Sequence, residues 1–124
     1  MSKKILIADD EQNIVISIEF LLRREGFAVL VAGDGEEALA KVRAERPDLV
    51  LLDVMMPRMN GFDVCQALRA DPDLSGTRIL MLTAKGREME ITKGLAMGAD
   101  AYMTKPFSTR ELVTKVKSLL DLPA

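Results

Sequence analysis

Three carboxylates, a hydroxyl and an ammonium group stand where short apolar runs end. Asp9 and Asp10 follow Ile5-Leu6-Ile7-Ala8, and Asp53 closes Leu49-Val50-Leu51-Leu52. Thr83 follows Ile79-Leu80-Met81-Leu82, and Lys105 follows Ala101-Tyr102-Met103-Thr104. Singly, each has an ordinary use. Asp10 can cap a helix, Asp53 can start a turn, Thr83 can sit in a strand-to-loop turn, and Lys105 can be a solvated lysine. Brought together, they would do chemistry. Clustered carboxylates repel and raise one another's pKa unless a cation intervenes. A hard divalent ion relieves that repulsion, and Mg²⁺ typically takes one or two carboxylates plus water and phosphate oxygens. A carboxylate beside Mg²⁺ can attack phosphorus and become an aspartyl phosphate. A lysine and a hydroxyl would then hold the phosphoryl oxygens.

What must bring them together is a parallel sheet. Short apolar runs alternate five times with longer amphipathic stretches, the pattern of strands crossed over by helices on both faces. Strands are expected at Lys4-Ile5-Leu6-Ile7-Ala8, Ala28 to Ala32, Asp48 to Asp53, Arg78 to Leu82 (ending in Thr83-Ala84-Lys85) and Ala101 to Thr104. The third has no polar break and reads as buried on both faces. In such sheets the carboxyl ends of the strands share one crevice, so all five candidates would meet there.

The first helix is expected to turn Ile14, Ile18, Leu21 and Leu22 inward and to stop at Gly26, and the second to turn in Leu39 and Val42 before Pro47. The third buries Val64, Cys65 and Leu68, with Cys65 a core thiol. The fourth, from about Arg87 to Met97, is weakened by Gly94. The fifth opens on the capping box Ser108-Thr109-Arg110-Glu111 and buries Leu112, Val113, Val116, Leu119 and Leu120.

With 124 residues, 48% apolar and 29% charged, the chain reads as one α/β domain over 1–124. A net charge of −2 argues against generic binding to nucleic acid or anionic membrane. The apolar run after Met1-Ser2-Lys3-Lys4 is too short for a signal peptide, and no run approaches a membrane span. A single cysteine fits a reducing cytoplasm. With no histidine, imidazole cannot serve as base, metal ligand or phosphoryl carrier.

Asp9-Asp10-Glu11, Asp53 with Met56-Pro57 and Gly61 after it, Thr83-Ala84, and Lys105-Pro106-Phe107 resemble the receiver domain of two-component response regulators, over the whole chain. The resemblance implies a flavodoxin-like, doubly wound five-stranded parallel sheet of order 2-1-3-4-5 with five helices. It implies Asp53 as phospho-acceptor, and Asp9, Asp10, Asp53 and the backbone carbonyl of Met55 as ligands of Mg²⁺, with Mn²⁺ as a substitute. Lys105 would pair with the phosphoryl group, its peptide to Pro106 being cis. Thr83 would bond a phosphoryl oxygen, and Tyr102 would turn inward behind it. The donor would be a sensor histidine kinase or histidine phosphotransfer protein, and a downstream protein would read the face made by the fourth helix, fifth strand and fifth helix. Such a domain is a switch that catalyses only its own phosphorylation and dephosphorylation. With no output segment after Leu122-Pro123-Ala124, the expected type is a chemotaxis-like stand-alone receiver, monomeric or weakly dimeric on phosphorylation, without direct nucleic-acid contact.

Two other classes fit less well. An aspartate-nucleophile phosphatase of the haloacid dehalogenase type needs Asp-x-Asp, whereas Val54-Met55 follows Asp53. A flavodoxin-like electron carrier needs a phosphate-cradling first loop, which Asp9-Asp10-Glu11 would oppose. On the first helix, the inward set leaves Ile16 and Phe20 adjacent on the solvent side. Related receivers dock their donor on this helix, so Ile14, Ile16 and Phe20 are expected to choose the partner.

Overall fold

Five parallel strands carry the molecule, in the order β2-β1-β3-β4-β5. The structure is a computed structural model and describes residues 3–84 and 86–123. The elements run β1 (Lys4–Ala8), α1 (Gln12–Arg24), β2 (Ala28–Ala32), α2 (Gly35–Glu45), β3 (Leu49–Asp53) and α3 (Gly61–Ala70). They continue with β4 (Arg78–Ala84), α4 (Glu88–Ala96), β5 (Ala101–Lys105) and α5 (Thr109–Leu119). A 3-10 turn at Pro72–Leu74 occupies the Asp71–Gly76 connector. Lys85, expected at the end of the fourth strand, lies outside the described residues, as do Met1, Ser2 and Ala124.

Hydrophobic burial explains why β3 is central. Leu49, Val50, Leu51 and Leu52 are all fully buried, each worth about 1.5–3 kcal/mol relative to exposure. Alternate residues of the sheet feed two cores. On one face, Leu6, Val50, Leu52 and Met81 pack with Ala38 and Val42 of α2 and Val64, Cys65 and Leu68 of α3. On the other, Ile7, Leu51 and Leu82 pack with Val15, Ile18 and Leu22 of α1 and Leu112 and Val116 of α5.

Helix ends follow local chemistry. Asp34 caps α2 and Asn60 caps α3 by accepting from the N–H groups of Glu37 and Asp63. Ser108 and Glu111 form the expected capping box of α5. Gly26, at φ 94°, ends α1 where an L side chain would be strained.

Several side chains depart from the sequence reading. Along α1 the buried line is Val15, Ile18 and Leu22, while Ile14 and Leu21 flank it half-buried. The apolar stripe is wide enough that its centre lies one residue from the expected phase. Leu39, Val113 and Leu119 are likewise only half-buried. Gly94 is the sole buried residue of α4. A Cβ there would lie 3.3 Å from Met81 Cγ, so this glycine lets the helix approach the sheet as well as weakening it.

Among the described residues, no helix is long and apolar enough to cross a membrane.

Candidate functional site

The carboxyl ends of β1, β3, β4 and β5 lie side by side, and with them Asp9, Asp10, Asp53, Thr83 and Lys105. Parallel register makes this unavoidable: Asp53 stands opposite Leu82, and Thr83 opposite Thr104, one residue before Lys105. A crevice of about 290 Å³ opens there, lined by Asp10, Asp53, Met55, Thr83 and Lys105, among others. Carboxylate oxygens of Asp9, Asp10 and Asp53 lie within 4.8 Å of one another. Asp9 and Asp53 are buried and Asp10 is exposed.

Lys105 is the counter-charge. Its Nζ lies 2.9 Å from Asp9 Oδ2, 3.0 Å from Glu11 Oε1 and 3.5 Å from Asp53 Oδ1. Asp9 Oδ1 also accepts from the Glu11 N–H at 2.9 Å, which fixes the carboxylate at the start of α1. Burial pushes the Asp53 carboxyl up to about 7, and the charges of Asp9 and Asp10 add to this while Lys105 opposes it. Burial pulls the other way on Lys105, but hydrogen bonds to Asp9 and Glu11 and the Asp53 charge outweigh it and raise its pKa.

Thr83 supplies the uncommitted donor. The residue is buried, and its hydroxyl has no hydrogen-bond partner among the described residues. An unpaired buried hydroxyl costs about 1–3 kcal/mol and wants an acceptor. The Lys105–Pro106 peptide is cis.

Loop geometry around Asp53 depends on Gly61. Its N–H donates to the Val54 carbonyl at 2.9 Å, and a Cβ at this position would lie 2.3 Å from the Asp53 carbonyl oxygen. Any other residue would push the first turn of α3 away from the end of β3.

The oxygen donors suit a hard divalent ion: three carboxylates, one of them buried with a pKa near 7, are relieved when a cation shares them. Among the described residues the crevice holds no thiolate or imidazole, the ligands that zinc and copper favour, and Met55 offers only a neutral thioether.

Two residues of the site escaped the sequence reading. Glu11 was seen only as part of an acidic run, yet it bonds Lys105. Glu90, from the first turn of α4, lines the crevice, and only the fold could bring it there. Tyr102 shares a sheet face with Thr83, because residues 81 and 83 of β4 pair with 102 and 104 of β5. Tyr102 is 42% exposed in this structure, and the expected inward turn belongs to the phosphorylated state. Arg69 also went unnoticed, since a helical arginine carries no pattern. It bonds the Gly98 and Thr77 carbonyls at 2.8 and 2.7 Å and the Asp100 carboxylate at 2.8 Å, tying α3 to the opposite end of the sheet.

On α1, Ile16 and Phe20 are 63% and 65% exposed, as the helix phase predicts. Ile14 instead lines a groove of about 350 Å³ between α1 and α5, with Leu21, Pro106, Phe107 and Leu112.

Comparison with known proteins gives this sheet and its acidic edge a family. The family model "response regulator receiver domain" matches residues 5–117, and the chain belongs to that family. It is a phosphorylation-accepting signalling switch of two-component systems. A putative response regulator from Chloroflexus aurantiacus superposes with a TM-score of 0.94 at 36% identity, over 98% of this chain and 99% of that one. A chemotaxis response regulator of Vibrio cholerae gives 0.90 at 34%, over 96% and 99%. In sequence, the alkaline phosphatase synthesis transcriptional regulatory protein PhoP of Bacillus subtilis is 51% identical over 97% of this chain and 49% of its own length. The DNA-binding response regulator MtrA of Mycobacterium tuberculosis is 50% identical over 97% and 51%. The chain thus spans about half the length of the curated relatives it matches.

These relatives correct two expectations. A chemotaxis-like stand-alone receiver is not supported, because the relatives at 50–51% identity are transcriptional and DNA-binding regulators. The expected lack of direct nucleic-acid contact is contradicted by the same names. That expectation rested on the net charge of 124 residues and on reading Leu122-Pro123-Ala124 as an end, and neither bears on DNA binding by relatives about twice as long as this chain.

Proposed function

We propose that Asp53 is the residue that takes up the phosphoryl group, within a receiver unit that fills residues 1–124. The observation that carries this reading is the position of Asp53: buried at the end of the central strand, 3.5 Å from Lys105 and clustered with Asp9 and Asp10. Asp9, Asp10, Asp53 and the Met55 backbone carbonyl would hold Mg²⁺, or Mn²⁺ in its place. When bound, the ion offsets the carboxylate repulsion and draws charge from the phosphoryl oxygens. An Asp53 oxygen attacks phosphorus as the bond to the donor's histidine nitrogen breaks, and that nitrogen leaves with the bonding electrons and takes up a proton. Lys105 then holds a phosphoryl oxygen in exchange for part of its bonding to Asp9 and Glu11. Thr83 donates its free hydroxyl to another.

The donor is a sensor histidine kinase or phosphotransfer protein, docking on Ile14, Ile16 and Phe20 of α1. Drawing Thr83 toward the phosphoryl group opens space behind it for Tyr102, which changes the face formed by α4, β5 and α5 that a downstream partner reads. Apart from its own phosphorylation and dephosphorylation, the unit turns nothing over. Because the relatives are named as transcriptional and DNA-binding regulators, the output it governs is transcriptional.

The test is intact mass after incubation with acetyl phosphate. One phosphoryl group should appear on the wild type with Mg²⁺ and be absent with chelator, and a folded Asp53→Asn variant should stay unmodified. Full labelling of that variant would refute the assignment.

A further inference from the structure

The loop from Asp53 to Gly61 is held from a side that the acidic cluster does not explain. A Cβ on Gly35, the buried first residue of α2, would lie 1.8 Å from the Met59 carbonyl oxygen and 2.6 Å from Met59 C and Cβ. Those atoms are mostly backbone, so they cannot swing aside. The contact has a partner one residue away, where Asp34 Oδ2 pairs with Arg58 Nε at 3.4 Å while its Oδ1 caps α2. Gly33, in the same turn, is different: its Cβ would meet only Glu37 Oε1, at 3.8 Å.

The far side of the loop is equally committed. Val54 N–H donates to Leu82 O at 3.2 Å, Gly61 N–H donates to Val54 O at 2.9 Å, and Met59 N–H donates to Pro57 O at 2.7 Å. Fixed at Val54 and Gly61, the segment has little slack. A methyl group at position 35 must displace Met59, and with it the chain leading back through Pro57 to Met55.

We propose that Gly35 is a positioning residue for the acidic site: by letting α2 seat against the Met59 backbone, it sets the Met55 segment relative to Asp53. The proposal rests on the reading that Asp9, Asp10, Asp53 and the Met55 carbonyl take a divalent ion. Groups that orient a metal's ligands are commonly worth tenfold or more in affinity. Neither the acidic motif nor the strand ends mark Gly35, because its role comes from a contact between residues far apart in sequence.

Calorimetric titration of full-length protein with MgCl₂ tests this, alongside amide NMR spectra without metal. Gly35→Ala should weaken Mg²⁺ binding on the order of tenfold and shift the Val54 and Met55 amides, while Gly33→Ala does neither. Should Gly35→Ala fail to fold, Met59→Gly decides, since it removes the Cβ that α2 seats against and frees the loop backbone. Weaker Mg²⁺ binding by a folded Met59→Gly supports the proposal, and unchanged affinity overturns it. Wild-type affinity and unmoved Met55 resonances in a folded Gly35→Ala also overturn it, as does an equal loss in Gly33→Ala. Those results leave the reading of the acidic cluster intact. Failure of the wild type to bind Mg²⁺ removes that reading, and this proposal with it.

Discussion

Lys105 and Asp53 approach within 3.5 Å, but the lysine makes shorter contacts with Asp9 and Glu11. Asp53 is therefore the less satisfied of the buried carboxylates, and its oxygens remain available. Removing the ammonium leaves Asp9 buried without its cation, which is costly because an unpaired buried charge keeps its full desolvation penalty. Lys105→Ala should melt well below the wild type in EDTA, and Mg²⁺ should restore much of the loss. Equal melting of the two proteins without metal would mean that Lys105 does not balance this cluster.

Asp53 also predicts a pH dependence. Its folded pKa of about 7 lies above the ordinary value of 3.8, so between those values the folded state holds a proton that the unfolded state has lost. Metal-free protein should therefore lose stability as pH rises through that window and stay level above it. Each pKa unit corresponds to about 1.4 kcal/mol. Melting curves in EDTA from pH 4 to pH 8 should show Asp53→Asn gaining on the wild type up to about pH 7 and holding that gap above it, and Mg²⁺ should abolish the difference. A constant gap between the two proteins would contradict the raised pKa.

Asp10 is exposed, unlike Asp9 and Asp53, so it does little for the fold and adds negative charge to the cluster. Asp10→Asn should abolish Mg²⁺-dependent phosphorylation while the metal-free protein stays as stable as the wild type or gains a little. A large loss of stability without metal would make Asp10 a structural residue instead.

The unpaired Thr83 hydroxyl makes the opposite kind of prediction. Replacing it with a methyl group of the same shape relieves an unmet hydrogen bond. Thr83→Val should thus leave the unphosphorylated protein as stable or more stable by about 1 kcal/mol. The same variant should lose the chemical-shift changes at Tyr102, Met97 and Phe107 that beryllofluoride induces in the wild type. If those shifts persist, the signal does not pass through Thr83.

Much of this was legible in the sequence for one physical reason. In a parallel sheet every crossover returns to the same edge, so residues that close apolar runs must converge there. Asp9, Asp10, Asp53, Thr83 and Lys105 were found on that ground. What stayed hidden depends on side-chain direction or on contacts between distant elements. Val15, not Ile14, is the inward residue of α1, because a wide apolar stripe does not fix its own centre. Glu90 reaches the crevice only through the placement of α4. Gly94 looked merely like a weak point in a helix, yet its missing side chain is what Met81 packs against.

Phe20 and Ile16 lie exposed on α1, and the Arg24 guanidinium sits 5.8 Å from the Phe20 ring centroid. Phe20→Ser should leave the melting temperature unchanged and labelling by acetyl phosphate intact. Transfer from the cognate phosphohistidine donor should slow severalfold, since burying Phe20 contributes about 1.5–3 kcal/mol to a complex. Equal slowing with both donors would place the effect at Asp53 and not at a docking surface.

The central claim is tested most directly by locating the acyl phosphate. Borohydride reduces an aspartyl phosphate to homoserine, releasing phosphate and leaving a permanent mark at the acceptor. Protein phosphorylated with acetyl phosphate and Mg²⁺, reduced, digested and sequenced by mass spectrometry should carry homoserine in place of Asp53, with Asp9 and Asp10 unchanged. Homoserine in place of Asp9 or Asp10, or none on fully phosphorylated protein, would contradict the account.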